Sequence, residues 1–252
     1  HHGALFLPHA FLFLSSFGWP RPEPVTERGG RFSAGTPDGW DFFLRSGSPR
    51  DLGRRHLHGG VPFWNDLMAH PDYDAFWQER NLLPHLDRVA PAVMTVGGLF
   101  DAEDLYGPLA IYKEVEKRNP GIFNVLVMGP WVHGGWARTE GDALGQARFG
   151  AKTGPAFRAD MEKPFFDHFL LDAAAPDLPE AMVFDTGANA WRHFDAWPPT
   201  TQRRWLSLGD ASKLSIADRD TVGADGPMLE FVSDPSKPVP HTHSVALGMN
   251  RE

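Results

Sequence analysis

The chain contains no cysteine. That excludes a disulfide framework, a thiolate nucleophile and a Cys-type zinc site, though it does not fix a compartment. No apolar run reaches the roughly 20 residues that a bilayer-spanning helix requires. Basic residues are in deficit: 24 Lys and Arg stand against 32 Asp and Glu, for a net charge of −8. Such a balance argues against nucleic acid and against an anionic membrane surface as partners. Internal repeats and low-complexity tracts are also missing. What remains is globular in character, with 42% apolar residues over a length of 252, long for one average domain. The 9 Trp, 19 Phe and 23 Pro are high counts. They suggest aromatic-lined pockets and many loops more than a helical bundle.

One stretch organises the rest. Residues 92–135 read AVMTVGGLFDAEDLYGPLAIYKEVEKRNPGIFNVLVMGPWVHGG. Two apolar runs, Ala92–Val96 and Phe123–Met128, flank a segment with helical spacing. Each run ends in Gly and then presents titratable side chains. The first delivers Asp101, with Glu103 and Asp104 behind it; the second delivers His133. A strand–helix–strand unit of this length is normally parallel and right-handed, so both strand ends open on one sheet edge. That edge is where α/β folds carry their chemistry. An acid and a histidine delivered there look like two-thirds of a nucleophile–histidine–acid triad.

The first 90 residues predict a helical, loop-rich cap. The chain opens on His1-His2 without Met or a basic leader, which reads as a start inside a natural protein or as the end of a tag. Residues 3–18 suit a buried helix ended by Gly18 and Trp19-Pro20. Trp40–Leu44 should be buried, and Arg54, Arg55, His56 and His58 read as a solvated turn rather than a phosphate site. Helices are expected over Pro62–Ala69 and Asp72–Leu83, the second capped by Asp72.

Beyond Gly135, the stretch to Gly154 predicts an active-site loop and Pro164–Leu171 a helix with a broad apolar face. Residues 173–179 read as a linker. From Ala181, the runs AMVFDTG, WRHFDAW, RRWLSLG and MLEFVSD are short, aromatic and β-branched, and suggest the start of an antiparallel sandwich. The expected division is therefore a cap over 1–90, the C-terminal part of an α/β domain over 91–175 and a β domain from 176 to 252.

A triad needs a nucleophile as well as an acid and a base. In α/β-hydrolases the chain order is nucleophile, acid, histidine, with the serine in a G-x-S-x-G elbow. Ser15, Ser16, Ser33, Ser46 and Ser48 precede Asp101, and none sits in that pattern. Either the triad reading fails or the nucleophile belongs to sequence outside these residues. Other readings stay open on spacing alone. Asp101 could cap the following helix, with Glu103 and Asp104 favoured by its dipole. His133 could be structural. The four residues could bind a hard cation, although D-A-E-D is no recognised metal spacing. Asp101 could be a nucleophile of dehalogenase type, but it lies in no elbow. His241 and His243 read as strand or loop. Trp131 and Trp136, flanking His133, read as core. The aromatic-rich part after Ala181 could be a non-catalytic binding module.

VGGLFDAEDLYGP followed by VMGPWVHGG resembles the acid and histidine segments of the α-amino-acid ester hydrolases and glutaryl-cephalosporin acylases. These belong to the wider family of cocaine esterase and the X-prolyl dipeptidyl-peptidases. HHGALFLPHAF, TPDGWDFFL, PFFDHFLL, GANAWRHFDAWPP and SDPSKPVP resemble that family too, in its usual order. The resemblance implies an α/β-hydrolase domain with a helical cap, followed by a jelly-roll sandwich. It implies Asp101 as triad acid and His133 as base, with Glu103 and Asp104 in a carboxylate cluster that receives a substrate α-ammonium group. The cluster's third acid and the serine would precede His1, so a chain of these residues alone is expected to be inactive. The resemblance further implies a small ester, amide or short-peptide substrate, no cofactor, no metal and a periplasmic or secreted location. Homo-oligomerisation stays open.

Overall fold

The computed structural model describes residues 5–26, 32–201, 204–208, 214–217, 230–237 and 244–248. His241 and His243 lie outside them. The described residues before Val93, called the cap below, form five short α-helices, each started or stopped by its own sequence. α1 (Leu7–Phe17) has Pro8 in its first turn and stops at Gly18, whose N–H reaches Leu14 O at 2.8 Å. A Cβ at Gly18 would lie 2.6 Å from Val61 Cγ1, so the chain must turn there on a residue without a side chain. α2 (Gly39–Arg45) is capped by Asp38 and α3 (Pro49–His56) by Ser48, each accepting a backbone N–H from the first turn. α4 (Pro62–Ala69) starts on Pro62. α5 is only Ala75–Gln78, capped by Asp74.

These helices enclose one cluster: Phe11, Leu14, Phe43, Leu52, Leu57, Val61 and Trp64. Phe11 is fully buried and meets Phe32, Phe43 and Trp64 edge to face. Such pairs add roughly 0.5–1.5 kcal/mol each beyond their area. The cap differs from expectation in four places. α1 buries one stripe only, leaving Phe13 and Phe17 exposed, and α2 buries Phe43 but leaves Trp40 and Leu44 exposed. The basic patch is not a turn but mostly the end of α3, where Arg54 and Arg55 face solvent. The helix expected over Asp72–Leu83 shrinks to α5, because Asp74 and not Asp72 takes the Phe76 N–H.

His56 packs against the rings of Phe11, Phe32 and Phe42. Burial pushes its pKa below the usual value of 6.5, helped by the charges of Arg55 and His58. The unfolded chain therefore binds a proton that the folded cap resists. Stability is full above the unfolded value and falls as pH drops through 6.5 toward the lower folded value. Thermal unfolding followed between pH 5 and 8 should show that slope, and His56→Gln should flatten it. An unchanged slope in His56→Gln would assign it to other groups.

The second layer is a sheet. β1 (Val93–Gly98) leads into α6 (Tyr106–Arg118), which returns to β2 (Asn124–Gly129). The two strands are parallel and in register from Val93↔Asn124 to Gly98↔Gly129, so they end side by side. β2 is buried at every position, as a strand covered on both faces should be. Asn119 fixes the approach to β1, accepting from Val89 N and donating to Leu86 O. After β2 come α7 (Gly135–Arg138) and a small hairpin of β3 (Ala143–Leu144) and β4 (Ala147–Arg148). α8 (Thr153–Phe157) then runs through a π-helical turn, Arg158–Glu162, into α9 (Lys163–Leu171). The loop expected to reach Gly154 thus carries a helical turn and a short hairpin.

The sheet then continues past the expected boundary at 176. β5 (Ala181–Asp185) pairs parallel with β2, and β6 (Ala190–Phe194) pairs antiparallel with β5. The strand order is β1-β2-β5-β6. The expected sandwich strands at 181–194 therefore belong to the α/β sheet. Glu180 helps explain why: its carbonyl accepts Leu126 N from β2, and its carboxylate accepts the Tyr112 hydroxyl from α6. Burial pushes the Tyr112 pKa up, with Glu180 acting in the same direction. β7 (Trp205–Leu208) and β8 (Leu214–Ala217) form a separate antiparallel pair. Residues 230–234, expected to be strand, are described without one. No helix among the described residues is long and apolar enough to cross a membrane.

Ala246 O accepts the N–H of Gly39, and Pro235 O accepts the Trp40 indole N–H, so Pro235 and Ala246 lie against α2. A Cβ at Gly39 would lie 2.4 Å from Leu247 O.

Candidate active site

The turns after β1 and β2 grow from the same register. Leu99 N donates to Gly129 O and Phe100 N to Trp131 O, at 2.8 and 3.1 Å. This close approach needs Gly98: a Cβ there would lie 2.2 Å from Trp131 O. Trp131 is core, as expected. It is 1% exposed, and its indole N–H donates to Thr153 Oγ1 at 2.8 Å. The next turn passes through Gly134, whose φ of +67° is a left-handed conformation that side chains disfavour. Arg138 closes the turn by donating to His133 O at 2.9 Å.

Asp101 is 4% exposed. Its Oδ1 accepts the backbone N–H groups of Glu103 and Asp104 at 2.9 and 3.0 Å. Its Oδ2 lies 3.1 Å from His133 Nδ1. Asp101 does not cap α6, whose N-cap Leu105 has no side-chain cap hydrogen bond; one of its oxygens closes the turn before that helix and the other faces the histidine ring. Asp104 Oδ2 also approaches His133 Nδ1, at 3.2 Å. Glu103 turns the other way, toward His9 Nε2 of α1, at 3.5 Å. Asp101, Asp104 and His133 thus converge, while Glu103 joins the sheet turn to the cap.

The trio borders an open cleft of about 620 Å³, lined also by Thr95, Gly97, Pro108, Trp136 and Arg138. Trp136, expected as core, is half-buried: it packs against the Trp131 cluster and also lines this cleft. One ligand atom from each of Asp101, Asp104 and His133 lies within 4.8 Å of the others, near enough for a cation. Glu103 is not part of that group, which differs from the four-residue metal reading. Sequence reasoning also missed His9 and Arg138. Neither carries a motif: His9 reaches Glu103 from α1, and Arg138 donates to the carbonyls of the turn it follows.

Comparison with known proteins adds to this geometry. Residues 26–135 match the family described as X-Pro dipeptidyl-peptidase (S15 family). Cocaine esterase from Rhodococcus sp. (strain MB1 Bresler) is 31% identical over 209 residues, covering 75% of this chain and 34% of the esterase. The crystal structure of an aminopeptidase from a marine sediment archaeon, Thaumarchaeota archaeon, matches with a TM-score of 0.85 at 33% identity. That match covers 98% of this chain and 39% of the aminopeptidase. A selenomethionine-labelled α-amino acid ester hydrolase matches with a TM-score of 0.80 at 32% identity, over 95% of this chain and 39% of the hydrolase.

The chain belongs to the S15 family.

This S15 chain spans about a third of the length of the esterase and about two-fifths of each solved relative. The family match ends at Gly135, just past His133, so it takes in both turns that deliver Asp101 and His133.

Proposed function

We propose that this S15 chain supplies the acid and base of a serine hydrolase. The enzyme cleaves esters or amides of α-amino acids, or of related acyl groups, through an acyl-enzyme. The observation that carries this reading is the contact of the buried Asp101 carboxylate with His133 Nδ1 at 3.1 Å. A carboxylate on Nδ1 leaves Nε2 as the base, and it stabilises the imidazolium formed when the nucleophile loses its proton. Asp101 suits that work because two backbone N–H groups already hold its other oxygen. The His133 side chain is 40% exposed beside the cleft, so a nucleophile and an acyl group have access to it.

No G-x-S-x-G elbow occurs in these 252 residues. The proposal assigns the serine to the portion of its relatives that this chain does not span. Glu103 and Asp104 remain the carboxylates for a substrate α-ammonium group, on resemblance to the amino-acid ester hydrolases. The β7–β8 pair is read as the first piece of a jelly-roll. Cleavage of short peptides is the second reading, favoured by the family description and by the aminopeptidase neighbour.

A fluorophosphonate probe tests the nucleophile in the protein that carries these residues. The labelled serine should lie outside residues 1–252, and labelling should collapse in His133→Ala. Stoichiometric labelling of a serine within this chain would overturn the assignment. Absence of any labelled serine would overturn the serine-hydrolase reading itself.

A further inference from the structure

Two carboxylates compete for one imidazole nitrogen. Asp101 Oδ2 and Asp104 Oδ2 lie 3.1 and 3.2 Å from His133 Nδ1. That nitrogen can carry at most one proton. One charge-assisted N–H···O bond normally closes to about 2.7–2.9 Å. Both distances here are longer; the Asp101 contact has hydrogen-bond geometry, and Asp104 stands beside it at ion-pair distance. The acids are not equivalent. The Asp101 side chain is 3% exposed and anchored, whereas that of Asp104 is 61% exposed and borders the cleft. The turn couples them: the N–H of Asp104 is one of the two donors holding Asp101 Oδ1. The residue that brings the second carboxylate to the ring thus also fixes the first.

We propose that Asp104 is a second positioning residue for His133. Its carboxylate stands against Nδ1 beside Asp101 and favours the tautomer that leaves Nε2 as base. The kinetic consequence rests on the hydrolase reading above; the geometric claim does not. Two anions beside one neutral ring repel, and a cation between them relieves the cost. The imidazolium of the reaction is such a cation. Solvent exposure of Asp104 screens its share, so its effect is smaller than that of a buried acid. The role is independent of any amine on the substrate.

The test uses the response to Asp101→Asn. The amide introduced by that substitution must keep its carbonyl on the Glu103 and Asp104 N–H groups, because its nitrogen cannot accept them. Its NH₂ then faces His133 Nδ1 and would favour the wrong tautomer. Asp104 is the acceptor that remains to oppose this. Long-range ¹⁵N–¹H correlation spectra of ¹⁵N-histidine-labelled protein read the His133 tautomer directly. Nδ1–H is expected in the parent and in Asp101→Asn, and Nε2–H in Asp101→Asn/Asp104→Asn. A switch to Nε2–H in Asp101→Asn alone would overturn the proposal.

A kinetic arm uses a matched pair of esters with and without an α-amine, in the protein that carries these residues. Asp104→Asn should lower kcat about tenfold for the amine-free ester, and by roughly a hundredfold or more in the Asp101→Asn background, since sites sharing a partner couple strongly. Asp104→Glu should restore most of the loss. Any extra loss on the amine-bearing ester is a direct substrate contact. A loss confined to that ester would overturn the positioning role. A parent protein without turnover would fail the hydrolase reading alone, and the tautomer would still decide Asp104.

Discussion

His133→Ala is expected to lower kcat/KM by at least about 10⁴-fold for every ester or amide the protein turns over. The loss is general because the base acts on the nucleophile and not on any substrate feature. It is large because members of a triad act as a unit, so that removing one leaves only binding and oxyanion stabilisation. The fold should survive, since the turn is held by backbone contacts and by the Trp131 anchor, not by the imidazole. Circular dichroism of the variant checks that. Turnover within tenfold of the parent would make His133 a structural residue of a Gly-rich turn.

The second large effect is selective. Glu103→Ala should cut kcat/KM for an α-amino ester while leaving its des-amino counterpart much less changed. Removing one partner of a buried, hydrogen-bonded charge pair costs about 2–5 kcal/mol. That is roughly one and a half to three and a half powers of ten in specificity. The rival role is visible in the structure: Glu103 Oε2 reaches His9 of the cap at 3.5 Å. If both esters fall equally, Glu103 serves as a brace between α1 and the acid turn, and the ammonium role is wrong.

The strand–helix–strand unit was legible because its signals are local. Apolar runs ending in Gly, and a helix of the right length between them, leave few alternatives. Asp101 and His133 followed from that topology. Their contact with Asp104 did not, because it depends on where one exposed side chain turns after the strand. The strands at 181–194 were misread for a physical reason. AMVFD is apolar enough to be covered on both faces, and such a run looks alike in a sandwich and in a parallel sheet. What assigns it to the sheet is a pair of long-range bonds through Glu180, to Leu126 and Tyr112. The short α5 shows the same limit on a smaller scale. Asp72 and Asp74 are both good caps by type, and only geometry selects between them.

The bonds from Gly39 to Ala246 and from Trp40 to Pro235 have a kinetic meaning. The second joins residues 195 positions apart. Closing so long a loop costs entropy that nearby contacts must first offset, and pairings of this kind form late. Helix α2 therefore lacks two of its partners until the chain beyond residue 230 has emerged and folded back. The Asp101–His133 contact, in the turns after two neighbouring strands, spans only 32 positions and needs no such closure.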